Sequence, residues 1–209
     1  MMCRIRAFVI CFAAIFLLGQ VVLADQTQVS ETAQGKAKVL EKEIVADDSK
    51  ATPASPSKKI TRPEAQGVDP SGEKSLNDAI TCLSRTIYWE ARGEQVASME
   101  AIANVVMNRL GHEGFPNTVC DVVKQGQEQG SCQFSWWCDG RSDDAEEEEP
   151  YAIAKEVARK ALNRQLTDQT YGAMYFHQKK EKPNWSRKYI KTAEIGEFVF
   201  YKPHSDKAK

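Results

Sequence analysis

The sequence predicts an α+β domain in which several helices precede a small antiparallel sheet. Two observations carry that expectation. Between residues 75 and 162 apolar residues recur at steps of three, four and seven, the period of a helix with one buried face. From residue 173 to 201 they give way to short aromatic or β-branched runs broken by Gly, Pro and charge, the pattern of strands. Helices followed by strands, rather than alternating with them, give the α+β order.

In the first helix Leu76, Ala79, Ile80, Leu83 and Ile87 draw one stripe, with Ser75 as the expected N-cap and Gly93 as the stop. Val96, Met99, Ala103, Val106, Met107 and Leu110 mark a second helix over Gln95 to Arg109. Thr118 with Asp121 approximates a capping box, opening a short helix through Lys124 that Gly126 and Gly130 break. Pro150 suits the first turn of a further helix, with Ala152, Ile153, Val157, Ala161 and Leu162 on its buried side. The acidic run from Asp143 to Glu149 precedes that helix, where negative charge is favourable, and this explains it better than a metal site does. Strands are expected over Ala173 to His177, Tyr189 to Ala193 and Phe198 to Tyr201.

Outside this region the chain divides into two further parts. Arg4 and Arg6, an apolar run from Ala7 to Leu23 and the small residue Ala24 have the layout of a secretory signal peptide over residues 1–24, with an uncleaved membrane anchor as the alternative. Residues 25–74 are rich in Gln, Ser, Thr, Lys, Glu and Pro and poor in aromatics, which predicts a disordered linker. The folded domain is therefore expected over residues 75–205. Export removes Cys3 and Cys11 and leaves Cys82, Cys120, Cys132 and Cys138 in an oxidising compartment. Two disulfides are expected, with all three connectivities open. Their spacing contains no Cys-x-x-Cys pair, so neither zinc nor any other metal or cofactor is expected. A net charge of −1 on an exported chain argues against nucleic acid as a partner.

One segment carries chemistry. Thr86-Ile87-Tyr88-Trp89-Glu90-Ala91-Arg92-Gly93-Glu94 places a carboxyl beside aromatic rings at a helix end. Apolar surroundings raise a carboxyl's pKa towards neutrality, which is what a general acid needs, so Glu90 is the candidate catalytic residue. Glu94 lies beyond the glycine and is the nearby candidate for a second carboxylate.

Several ordered blocks then resemble the SleB-type cell-wall hydrolases, the spore-cortex-lytic enzyme family. These are Ile87 to Glu94, the helix ending Asn104-Val105-Val106-Met107-Asn108-Arg109, Phe115 to Val119, Gln133 to Gly140, Gly172 to His177, Pro183-x-Trp185 and Ile195 to Tyr201. The resemblance implies a lysozyme-like domain with a groove between helices and sheet. It also implies peptidoglycan as the substrate and cleavage of the β-1,4 bond from N-acetylmuramic acid to N-acetylglucosamine by a lytic transglycosylase. Gln133 and Ser135 could bond acetamido groups and Trp136 could pack on a sugar ring, one of Trp136 and Trp137 being core by strand alternation. Tyr175 and His177 share a strand face that lines either the groove or the core. The rival functions are a hydrolytic muramidase using Glu90 and Glu94, a non-catalytic wall-binding protein and, more remotely, a cysteine peptidase. With a leader present, the expected location is secreted, in the periplasm.

Overall fold

A computed structural model describes residues 26–47 and 52–204, so the expected leader with Cys3 and Cys11 lies outside the described residues. Six helices and a three-stranded sheet follow in order: α1 (26–46), α2 (Arg62–Gly67), α3 (Ala79–Ala91), α4 (Val96–Arg109), α5 (Val119–Lys124), α6 (Glu148–Leu162), β1 (Tyr175–Gln178), β2 (Ile190–Ile195) and β3 (Phe198–Lys202). This is the expected α+β order. Among the described residues no helix is long and apolar enough to cross a membrane.

Helix α3 is the centre. It packs against α4, α5 and α6, and its residues from Ala79 to Tyr88 are all buried, as a helix enclosed on every side must be. Its N-cap is Asp78 rather than Ser75: Asp78 Oδ1 accepts from the Thr81 backbone N–H at 2.9 Å and Oδ2 from the Thr81 hydroxyl at 2.7 Å. A carboxylate can satisfy both groups at once, and the three residues between Ser75 and the helix stay outside it. Thr118 caps α5 and accepts from the Asp121 N–H, as the sequence predicts. The sheet is antiparallel in the order β1-β3-β2, with Tyr175 opposite Tyr201 and His177 opposite Val199. Phe198 to Tyr201 of the central strand are all buried, so β3 anchors the sheet to the helices.

The largest correction concerns the segment read as a disordered linker. Residues 26–46 are helical, and Ala33, Ala37, Leu40 and Ile44, at most 2% exposed, form a stripe at steps of four, three and four. Ile60, Ala65 and Val68 join the same core. Polar contacts fix the segment as well: Glu41 accepts from the Val119 N–H at 2.6 Å, and Asn163 both accepts from Ile60 N–H and donates to Ile60 C=O. At the segment's end Asp69 is fully buried and takes two bonds from Arg85, at 3.0 and 2.7 Å, and one from the Tyr151 hydroxyl at 2.7 Å. Burial by itself would raise the Asp69 carboxyl, but the bonds from Tyr151, Lys74 and Arg85 outweigh it and hold the pKa below the usual carboxylate range. The folded unit therefore begins well before residue 75.

Two disulfides close the connectivity question: Cys82 with Cys120, tying α3 to α5, and Cys132 with Cys138, closing a short loop.

Candidate active site

Glu90 occupies the last turn of α3. The helix ends there because Arg92 adopts an extended backbone, its N–H still bonded to Tyr88 C=O at 2.8 Å, and Gly93 turns the chain away at φ 82°. The neighbouring side chains fasten this end. Trp89 donates to Asp143 C=O at 3.1 Å, while Arg92 lies over the Trp89 ring at 4.6 Å and donates to Tyr88 and Glu147, each at 3.0 Å. With its neighbours on both sides held, Glu90 is presented in a fixed direction.

That direction is a groove of about 560 Å³ between the helices and the sheet, lined by Glu90, Arg109, Gln133, Ser135, Tyr175, His177, Gln178, Glu181, Trp185 and Tyr189 among others. A second depression of about 310 Å³ shares Glu90, Ser135 and Gln178 with it and continues past Trp89, Arg92, Trp136 and Arg141. Glu90 thus stands where the two meet. Desolvation pushes its carboxyl up to about 7; Arg109 opposes that rise and Glu181 adds to it. A carboxyl in that range holds a proton near neutrality and can release it, which is the property a general acid and base needs.

The other residues singled out by sequence fall in different places. Gln133 and Ser135 line the groove. Their segment is not a strand, however: Ser135 to Trp137 form a 3-10 turn inside the loop closed by Cys132 and Cys138. Strand alternation therefore does not sort the tryptophans. Trp136 is buried and borders only the second depression, whereas Trp137 is half-buried, donates to Gln127 at 3.1 Å and lies under Lys124. Tyr175 and His177 both face the groove. Tyr175 stacks on Tyr189 at 4.6 Å. The His177 Nδ1–H donates to the Gln178 carbonyl at 2.8 Å, which leaves Nε2 to accept from the Tyr201 hydroxyl at 3.0 Å in the neutral ring.

Glu94 is displaced from this arrangement. It borders neither depression and stands by the β2–β3 turn, its Oε2 3.4 Å from where a Cβ on Gly196 would lie. The second carboxylate on the groove is Glu181, in the loop after β1. Sequence reasoning missed it, along with Arg109, Gln178 and Tyr189. For Arg109 a signal existed, since a charged residue sits three positions after Val106 and one before Leu110, against the apolar stripe of α4. Glu181 had none, lying in a run of exposed charge. Among the described residues no group of three or more His, Cys, Asp or Glu could hold a metal ion.

The profile of the family described as Cell Wall Hydrolase matches residues 93–201. The chain belongs to the cell wall hydrolase family. The match begins three residues after Glu90 and takes in α4, the 132–138 loop and the whole sheet. Similar curated proteins are spore cortex-lytic enzymes. That of Bacillus cereus is 29% identical over 145 residues, covering 67% of this chain and 50% of its own length. That of Oceanobacillus iheyensis is 30% identical over 146 residues, covering 65% and 48%. The chain thus spans about half the length of the curated relatives it matches. Among solved structures, the catalytic domain of the Bacillus cereus SleB protein is 27% identical, with a TM-score of 0.49, over 59% of this chain and 89% of that one. The catalytic domain of the germination-specific lytic transglycosylase SleB from Bacillus anthracis is 26% identical, with a TM-score of 0.48, over 63% and 98%.

Proposed function

We propose that this cell wall hydrolase family member cleaves the glycan strands of peptidoglycan as a lytic transglycosylase, with Glu90 as its acid and base. The observation that carries the reading is one desolvated carboxyl at the junction of two depressions, at the end of a central helix facing a small sheet, as in a lysozyme-like domain. The names of the curated relatives point to the same substrate class.

In the proposed reaction the Glu90 carboxyl gives its proton to the oxygen linking N-acetylmuramic acid to N-acetylglucosamine. The bond from C1 to that oxygen breaks and leaves an oxocarbenium-like centre at C1. The Glu90 carboxylate then takes the proton from the muramic acid's own 6-hydroxyl, and that oxygen closes on C1. The product is a 1,6-anhydro sugar, and Glu90 is protonated again. No second carboxylate is required, which agrees with Glu94 standing outside the groove. A hydrolytic reading is favoured by one observation, that Glu181 lines the groove with Glu90 and could activate a water. The substrate, the basic N-terminal leader and the two disulfides together support export to the periplasm, with the leader removed after Ala24.

The test is to incubate the full chain and its Glu90→Gln variant with sacculi and weigh the released sugars by mass spectrometry. Anhydro-muropeptides from the parent and none from the variant are expected. Fragments heavier by one water would refute transglycosylation and direct attention to Glu181. No release from either, with sacculi still bound, would make the chain a wall-binding protein.

A further inference from the structure

The reaction proposed above gives no role to a buried cation that shares the groove. Arg109 closes α4, is 2% exposed and lines the groove with Glu90. Its Nε donates to Met174 C=O at 2.7 Å, and its Nη1 is buried with no hydrogen-bond partner. Phe115, Phe134 and Tyr175 surround the guanidinium, their ring centres at 5.4, 5.2 and 5.5 Å. Among the described residues no carboxylate lies within the 4.0 Å of an ion pair with it. Glu90 acts on it only through space; a buried charge with no directly bonded anion is costly, and an apolar side chain of similar volume would fill the space at less cost. An orphaned donor on the wall of a binding groove is the pattern of a group that finds its partner in the ligand.

We infer that Arg109 donates to the carbonyl oxygen of a sugar N-acetyl group and so makes the groove specific for N-acetylated glycan. The inference rests on the reading of the groove as a glycan site. The strongest acceptor oxygens on such a polymer belong to a carboxylate or to an amide, hydroxyl and ether oxygens being weaker. Glu181 already borders the groove, and a ligand carboxylate beside it would meet like charge; a neutral carbonyl does not. Tyr175 and Phe176 line the same wall and offer apolar surface for the acetyl methyl group. Because Arg109 ends α4 and Glu90 ends α3, gripping the acetamido group at one fixes the ring relative to the acid at the other.

The experiment measures binding by calorimetry with the full chain carrying Glu90→Gln, which removes turnover, and with the same chain also carrying Arg109→Met or Arg109→Lys. The ligands are sacculus glycan strands freed of stem peptides, the same strands de-N-acetylated, and a re-acetylated sample as a control for strand damage. The Glu90→Gln chain is expected to bind acetylated strands at least about 10-fold more tightly than de-N-acetylated ones, as a hydrogen bond from a charged donor implies. Arg109→Met is expected to lose most of that preference and Arg109→Lys to retain part of it. A purely structural Arg109 would weaken both ligands by the same factor and leave the ratio unchanged, which would overturn the inference. Equal affinity of the Glu90→Gln chain for both ligands would also overturn it, while leaving the glycan reading intact. Binding to neither would bring down the glycan reading itself, and the inference with it.

Discussion

Substituting Glu90 by Gln should stabilise this protein, and only above acid pH. The Glu90 carboxyl is pushed from an ordinary 4.5 up to about 7, chiefly because burial disfavours its charge. Below pH 4.5 the carboxyl is neutral both folded and unfolded, and Gln, its neutral isostere, should differ little from it. Between 4.5 and 7 the unfolded chain ionises while the folded one keeps its proton. Stability therefore falls with rising pH and levels off above 7. At about 1.4 kcal/mol per tenfold change in proton affinity, the accumulated cost at pH 8 is about 3 kcal/mol. Urea unfolding of the parent and Glu90→Gln at pH 4 and pH 8 measures it. The expected result is near-equal stability at pH 4 and a gain for Gln approaching that figure at pH 8. A difference between the two proteins that stays the same at both pH values would refute the desolvated-acid argument.

Further outcomes follow from the packing. Asp69→Asn should lower stability by about 3 to 5 kcal/mol in urea, since it leaves the Arg85 cation buried without its anion. Removing the Cys82–Cys120 bridge, which spans 38 residues, should cost about 4 kcal/mol on loop-closure grounds. Removing Cys132–Cys138, which spans 6, should cost about 2 kcal/mol; equal losses would show that loop length does not govern the effect. A truncated chain starting at residue 75 should unfold at markedly lower urea than the full chain. It loses Leu40, Ile44 and Ile60, each worth about 1.5 to 3 kcal/mol when fully buried, and Asp69 with them. An unchanged midpoint would mean that α1 and α2 only rest on the domain.

The sequence made the groove end of α3 legible because three local signals coincide there: an apolar stripe, aromatic neighbours and a terminating glycine. The strands were legible for a similar reason, their β-branched and aromatic runs being bounded by Gly and Pro. What could not be read depends on residues distant in the chain. The stripe of Ala33, Ala37, Leu40 and Ile44 is short and built partly from alanine, so the polar composition of residues 25–74 concealed it, and only packing against the later helices stabilises it. Glu94 looked like a partner for Glu90 because it is four residues away, but Gly93 reverses the chain between them. Glu181 is ninety-one positions away in sequence yet shares the groove, because the β1 strand delivers its loop there. The expectation that Trp136 and Trp137 alternate on a strand fails because the Cys132–Cys138 disulfide closes too tight a loop for an extended run.

Asp69 meets two demands that few residues can meet together. Its backbone is left-handed, at φ 48°, and its side chain must be an anion of short reach to meet Arg85, Tyr151 and the Lys74 N–H. Glycine satisfies the first demand only, glutamate has the charge but not the backbone tolerance, and asparagine has the shape without the charge. Substitution tolerance at this position should therefore collapse to one residue in any library screened for folding, whereas an ordinary buried anion leaves two. A saturation scan for folding would mark position 69 sharply, although it lies in a segment whose composition suggests no structure at all.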